Sequence, residues 1–164
     1  MKHPIGTTQN GIAVYVDLVK SRAATHIAQQ PHLLGLVKEL IEQTTTTASE
    51  LHIEQDMGRT IGYNVVVETS EKDTVVYARL VRDEVYTRFV KNGKPLTTQY
   101  LTIILQLDDE NNYELHDTWI GRLNPPRPGS DNENAESKPY WENHAFVLEG
   151  QAVQLATATK ECPY

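Results

Sequence analysis

One cysteine, Cys162, stands in 164 residues. A lone thiol closes no internal disulfide and cannot supply the several sulfur ligands of a structural metal site, so a reducing cytoplasm is the expected compartment. Long hydrophobic runs are missing as well. No stretch approaches the ~20 apolar residues of a transmembrane helix, so no membrane partner is expected. The opening Met1-Lys2-His3-Pro4-Ile5-Gly6 has no apolar core behind its lysine, so a signal peptide is not expected either. Positive charge is scarce: 15 Lys and Arg stand against 22 Asp and Glu, a net charge of −7. That balance argues against strong non-specific nucleic-acid binding, whose affinity comes largely from neutralised phosphates. There is no Walker loop, GxGxxG, HExxH or GxSxG, and no repeat of solenoid length, so nucleotide, zinc-protease and elbow-serine chemistry lack their usual signatures.

What remains is an ordinary folded composition, 39% apolar and 23% charged. The length suits a single domain over residues 1–164, able to bury about 70% of its unfolded surface. Ile12–Val19 reads as a buried strand. After Ser21–Gln30, Pro31 suits the first turn of a helix in which Leu33, Leu34, Leu36, Val37, Leu40 and Ile41 recur at i, i+3 and i+4. Gly35 weakens that helix by roughly 1 kcal/mol relative to alanine, and the Thr44–Thr47 run ends it.

From residue 51 the apolar period becomes two. Ile61–Glu68, Val75–Arg82, Val85–Lys91, Tyr100–Leu107 and Tyr113–Ile120 read as strands, separated by short polar links of which Asn92-Gly93 is the best turn signal. Such short links imply antiparallel neighbours. The expected fold is therefore α+β: an antiparallel meander with one or two N-terminal helices on one face. Residues 124–139, opening Asn124-Pro125-Pro126-Arg127-Pro128-Gly129, read as a Pro-rich surface loop. Ala145–Leu148 and Ala152–Ala156 are two further strands or a loosely ordered tail.

Strand parity sorts the side chains. Val85 and Phe89, Leu101 to Leu107 at alternate positions, and Tyr113, Leu115 and Trp119 form a core face. The opposite face carries Tyr86, Arg88, Thr102, His116 and Thr118. Two readings of that face stand side by side: a solvated sheet surface, or a shallow cleft in which Arg88 binds phosphate and His116 titrates near neutrality among hydroxyls. Residues 75–94 hold Arg79, Arg82, Arg88, Lys91 and Lys94 against Asp83 and Glu84, a basic strip within an acidic chain. The strip can hold a short RNA segment or simply keep a hairpin soluble. Arg79, Arg82, Tyr86, Lys91, Thr102 and Trp141 are the candidate substrate contacts. His26 and His32 are spaced six apart, which does not suit a shared metal, and His116-Asp117 and His52-x-Glu54 put adjacent groups on different faces or offer too few ligands. Neither a metal nor a cofactor is expected. His144 follows Trp141 by three, one helical face for both, where an aromatic neighbour can shift an imidazole.

Thr25-His26-Ile27 before Pro31-His32-Leu33, then Tyr100-Leu101-Thr102-Ile103-Ile104-Leu105 leading to Tyr113-Glu114-Leu115-His116-Asp117-Thr118-Trp119, form a helix-then-strands pattern. Over roughly residues 20–120 it resembles the barnase, EndoU, colicin and RelE-like ribonuclease superfamily, in particular its phage-associated branches. The resemblance implies metal-independent, toxin-type RNA cleavage, with a base on the ribose 2′-OH, an acid on the leaving oxygen and a cation for the phosphorane. It places His26 at the family's helix histidine, Thr118 at the polar residue of the last core strand, and Arg88 as the phosphate cation. His144, beyond the matched region, is the choice for the second acid/base group. Members are usually basic and shorter than this chain. Two other classes fit the composition: an acidic, immunity- or antitoxin-like module that meets a cognate basic protein, and a small-ligand binder with Trp119, Tyr140 and Trp141 around an apolar pocket.

Overall fold

The stripe at Leu33, Leu36, Val37, Leu40 and Ile41 does form a helix, and all five side chains are buried. A computed structural model describes residues 2–80, 85–149, 151 and 153–164 of the chain. Its elements in order are β1 (Lys2–Thr7), β2 (Ala13–Asp17), α1 (Arg22–Gln29), α2 (Leu33–Gln43), β3 (Glu50–Asp56), β4 (Gly62–Asn64), β5 (Val66–Glu68), β6 (Thr74–Leu80), β7 (Tyr86–Lys91), β8 (Leu96–Thr98), β9 (Tyr100–Leu107), β10 (Tyr113–Ile120), α3 (Ser137–Trp141), β11 (His144–Val147) and β12 (Val153–Thr159). The α+β class and the mostly antiparallel pairing match the sequence reading. Pro31 stands just before the α2 cap residue His32 rather than in the helix itself.

The strands do not run as one meander. They form one sheet in the order β1-β2-β10-β9-β3, a second in the order β12-β6-β7-β11-β5, and a ribbon of β4 with β8. β9–β10 and β6–β7 are antiparallel hairpins, as their short links require, but each belongs to a different sheet. Ile61–Glu68 is divided into β4 and β5, which join different sheets. Asn92 takes the left-handed conformation expected of a turn (φ 59°), whereas Gly93 is small for another reason. A Cβ there would come 2.7 Å from the Val90 side chain. The expected Asp83-Glu84 link and Arg82 lie outside the described residues.

The chain groups into two compact units, Met1–Gly62 with Thr98–Leu123, and Tyr63–Thr97 with Asn124–Tyr164. In the first, α1 and α2 share a core with the sheet: Ala23, Leu33, Val37 and Ile41 meet Val14, Val16, Leu101, Ile103, Leu105, Tyr113 and Leu115. Each of the Leu, Ile and Val side chains contributes about 1.5–3 kcal/mol by leaving water. In the second, Val76, Ala78 and Phe89 pack with Phe146, Leu148 and Val153. Of the two readings of the last segments, strands or a loosely ordered tail, the structure has strands, β11 and β12. Residues 124–136 carry no helix or strand, and α3 begins inside the expected loop; Pro128 within it is buried.

Candidate active site

The site with the clearest chemistry lies where β10 leaves β2. These strands pair in parallel only at Tyr113↔Val14 and Glu114↔Tyr15. Beyond that point, side chains from α1 bind carbonyls of β10. The Ser21 hydroxyl donates to Leu115 O at 2.8 Å and His116 O at 3.1 Å, and its oxygen caps α1 by accepting from Ala23 N. One turn on, His26 Nδ1 lies 2.8 Å from Thr118 O and 3.1 Å from Asp117 Oδ1. A buried carbonyl left unpaired is costly, so the helix is docked by polar side chains as well as by its apolar face.

That geometry determines the tautomer. Nδ1 faces two oxygen acceptors and must carry a proton, so the neutral ring keeps its lone pair on Nε2. The Asp117 side chain is 15% exposed and the His26 ring 39%, so the carboxylate is the more buried partner and the imidazole is partly open to solvent. Asp117 Oδ1 also accepts from Thr118 N at 2.8 Å, which fixes the carboxylate. The Asp117 hydrogen bond raises the His26 pKa above the usual imidazole value; burial opposes it, the Asp117 charge and the Thr118 carbonyl add to it, and the Arg22 charge opposes it. His116 and Arg22 are both exposed near this seam.

The same strand corrects the parity reading. A bulge between Leu115 and Asp117 inserts His116, so the alternation inverts along the second half of β10. Thr118 and Ile120 are buried, and Trp119 pairs with Thr102 on the other face, with its indole N–H donating to Arg122 O. Thr118 Oγ1 donates to Thr102 O at 2.9 Å, and Thr102 Oγ1 to Gly121 O at 2.9 Å. Both threonines are fully buried, so neither hydroxyl faces a cleft.

The remaining candidates lie in the second unit. Arg88 is an internal cross-link: its Nη1 donates to Thr69 Oγ1 at 2.7 Å and to His144 O at 3.1 Å, and its Nε is buried without a partner among the described residues. His144 stacks flat on Tyr140 at 3.9 Å with Nδ1 2.9 Å from Tyr140 O. Arg79 lies over the ring of its cross-strand neighbour Tyr86 at 5.7 Å. Lys91 is exposed at the end of β7. Trp141 is buried, stacked on Phe146 and hydrogen-bonded to Pro125 O, an anchor for the Pro-rich stretch rather than an open platform. Among the described residues no three His, Cys, Asp or Glu side chains gather as a metal would require, and no helix is long and apolar enough to cross a membrane.

The structure thus unites His26 with the Thr118 backbone and with Asp117, and Arg88 with the His144 backbone. His26, Thr102, His116 and Thr118 belong to the first unit, and the other described candidates to the second. Asp117 is the side chain at this seam that sequence reasoning missed. It stands 91 positions from His26, and reading it only as a neighbour of His116 concealed its partner on the helix. No protein-family model, curated protein or solved structure matches the chain.

Proposed function

We propose that the chain is a ribonuclease-like protein that cleaves RNA by general acid–base catalysis centred on His26. The observation that carries this reading is the tethering of His26 Nδ1 to Asp117 and the Thr118 carbonyl, which leaves Nε2 as the basic nitrogen on a partly open ring. In this mechanism Nε2 takes the proton of a ribose 2′-OH as its oxygen attacks phosphorus. The bond from phosphorus to the 5′ oxygen then breaks, and that oxygen receives a proton from water or from His116. Asp117 stabilises the imidazolium as it forms, a role that costs no reorganisation because the carboxylate is already held in place. Arg22 supplies positive charge one helical turn from His26. This assigns the acid and the cation to α1 and β10 in place of His144, whose Nδ1 faces Tyr140 O, and Arg88, whose Nη1 is held by Thr69 Oγ1 and His144 O. A reducing, cytoplasmic setting suits the lone exposed Cys162.

A second reading is favoured by the charge of the first unit, in which six Lys and Arg face eleven Asp and Glu. Glu50 and Glu114 both flank Gln106 on one sheet face, a surface suited to a basic cognate protein.

One experiment separates the two. Purified protein is incubated with cellular RNA in EDTA beside His26→Ala and Asp117→Asn. The catalytic reading expects cleavage that falls by about 10²–10⁴ in His26→Ala and by a smaller factor in Asp117→Asn. Rates should rise with pH as His26 loses its proton. Absence of EDTA-resistant cleavage, together with normal growth on expression, would transfer the assignment to the binding module.

A further inference from the structure

We propose that the free edge of β1, with the groove between it and α2, is a docking site for an extended peptide that carries an acidic side chain. β1 is the terminal strand of its sheet, so along its outer side its backbone C=O groups and, Pro4 excepted, its N–H groups face no neighbouring strand among the described residues. Beside that edge lies an open groove of ≈ 390 Å³, lined by His3, Pro4 and Ile5 of β1 and by Leu34, Gly35 and Lys38 of α2. A strand edge next to an apolar groove is the arrangement by which extended peptides bind: main-chain hydrogen bonds supply affinity, and alternate side chains entering a groove supply selectivity.

Gly35 marks the floor. A glycine inside a helix costs about 1 kcal/mol relative to alanine, yet nothing within this chain requires it. Its φ is not positive, and a Cβ there would meet no atom within 4 Å. The missing side chain leaves room in the groove that no part of the described chain fills. Lys38, one turn along α2, is exposed and has no ion pair among the described residues. Its Cγ lies 3.7 Å from where a Cβ on Gly6 would stand, so its stem runs beside β1, and Lys38 lines the groove. An apolar side chain over Gly35 and Leu34, followed by a carboxylate at Lys38, is the matching pattern. A second copy matches poorly: β1 contains no carboxylate, so the edge of a second copy would bring no acid to Lys38.

The test uses the full chain and a blocked synthetic octapeptide alternating Val and Glu, with its Val and Lys counterpart as control. Amide exchange at Lys2, His3 and residues 5–7 should slow with the Glu peptide, and the Gly35 and Lys38 amide resonances should shift. Gly35→Leu, which fills the floor, should weaken binding about tenfold or more, and Lys38→Glu should reverse the preference between the peptides. Should Gly35→Leu misfold, Lys38→Glu alone decides. No protection at millimolar peptide, or equal protection by both peptides, overturns the proposal. Protection of the same β1 amides that grows with protein concentration alone, accompanied by a dimer mass, overturns it in favour of a second copy.

Discussion

His26 and Thr118 show how far a single residue's chemistry depends on which atom faces which neighbour. His26 stands out in the sequence only through the resemblance to the ribonuclease superfamily, which places it at that family's helix histidine. Its partner is invisible there: the bond to Asp117 depends on α1 lying against β10, a tertiary fact with no local periodicity. Thr118 was legible as a polar residue on a strand, but its direction was not, and the structure turns its hydroxyl inward to Thr102 O. Thr118→Val keeps the shape and removes the donor, which leaves a buried carbonyl short of a partner at a cost of about 1–3 kcal/mol. The urea midpoint should fall with an unchanged slope, while any cleavage per folded molecule stays at the parent level. A catalytic Thr118 would give the opposite pattern, intact stability and lost turnover. Arg88 follows the same logic as Thr118, since its guanidinium joins β7 to Thr69 and to β11 from inside the second unit.

Among elements, α2 and the β9–β10 hairpin were readable because each is governed by its own period and by one turn. Asp108 accepts from Glu110 N and Asn112 N, and Asn111 sits at φ 62°, so the link between β9 and β10 has the polar turn chemistry its sequence shows. What the period could not show was the bulge at His116, where one inserted residue reverses the faces of the remainder of β10. Nor could it show which hairpin joins which sheet, because β2 and β10, like β7 and β11, pair in parallel across long stretches of chain. Gly35 permits a test at this scale. Gly35→Ala places a methyl in open space and restores helix propensity, so α2 should gain about 0.5–1 kcal/mol. Thermal unfolding should then rise by about 2–4 °C for each kcal/mol gained. A fall in the melting temperature would mean that the groove floor is closed in the free protein.

Over the whole molecule the titrating groups act together, and their shifts define a pH window. His26 binds its proton more tightly folded than unfolded. Its contribution is therefore complete below the unfolded value of 6.5 and is lost as pH rises through the higher folded value. The carboxylates behave in the opposite sense. Backbone N–H groups of Val19 and Lys20 hold Asp17 low, the N–H of Asn112 and the Tyr15 hydroxyl hold Asp108 low, and Arg59 does so for Glu39. Glu54 is held low by Arg122 and the Leu123 N–H against its partial burial. Their contribution is present above the ordinary values of 3.8 and 4.5 and disappears as pH falls through the lower folded ones. Stability should therefore peak between about pH 4.5 and 6.5 and decline on both sides. Self-repulsion in a chain of net charge −7 relaxes in the same direction as pH falls through the neutral range, so the alkaline limb has two sources. High salt separates them, since at about 1 M the screening length is ~3 Å and only contacts as close as His26–Asp117 persist. His26→Asn, whose amide can still donate to Thr118 O, should flatten the limb that remains in salt. Urea midpoints that rise from pH 6 to pH 8 in the parent protein would contradict both the direction of the His26 shift and the dyad built on it.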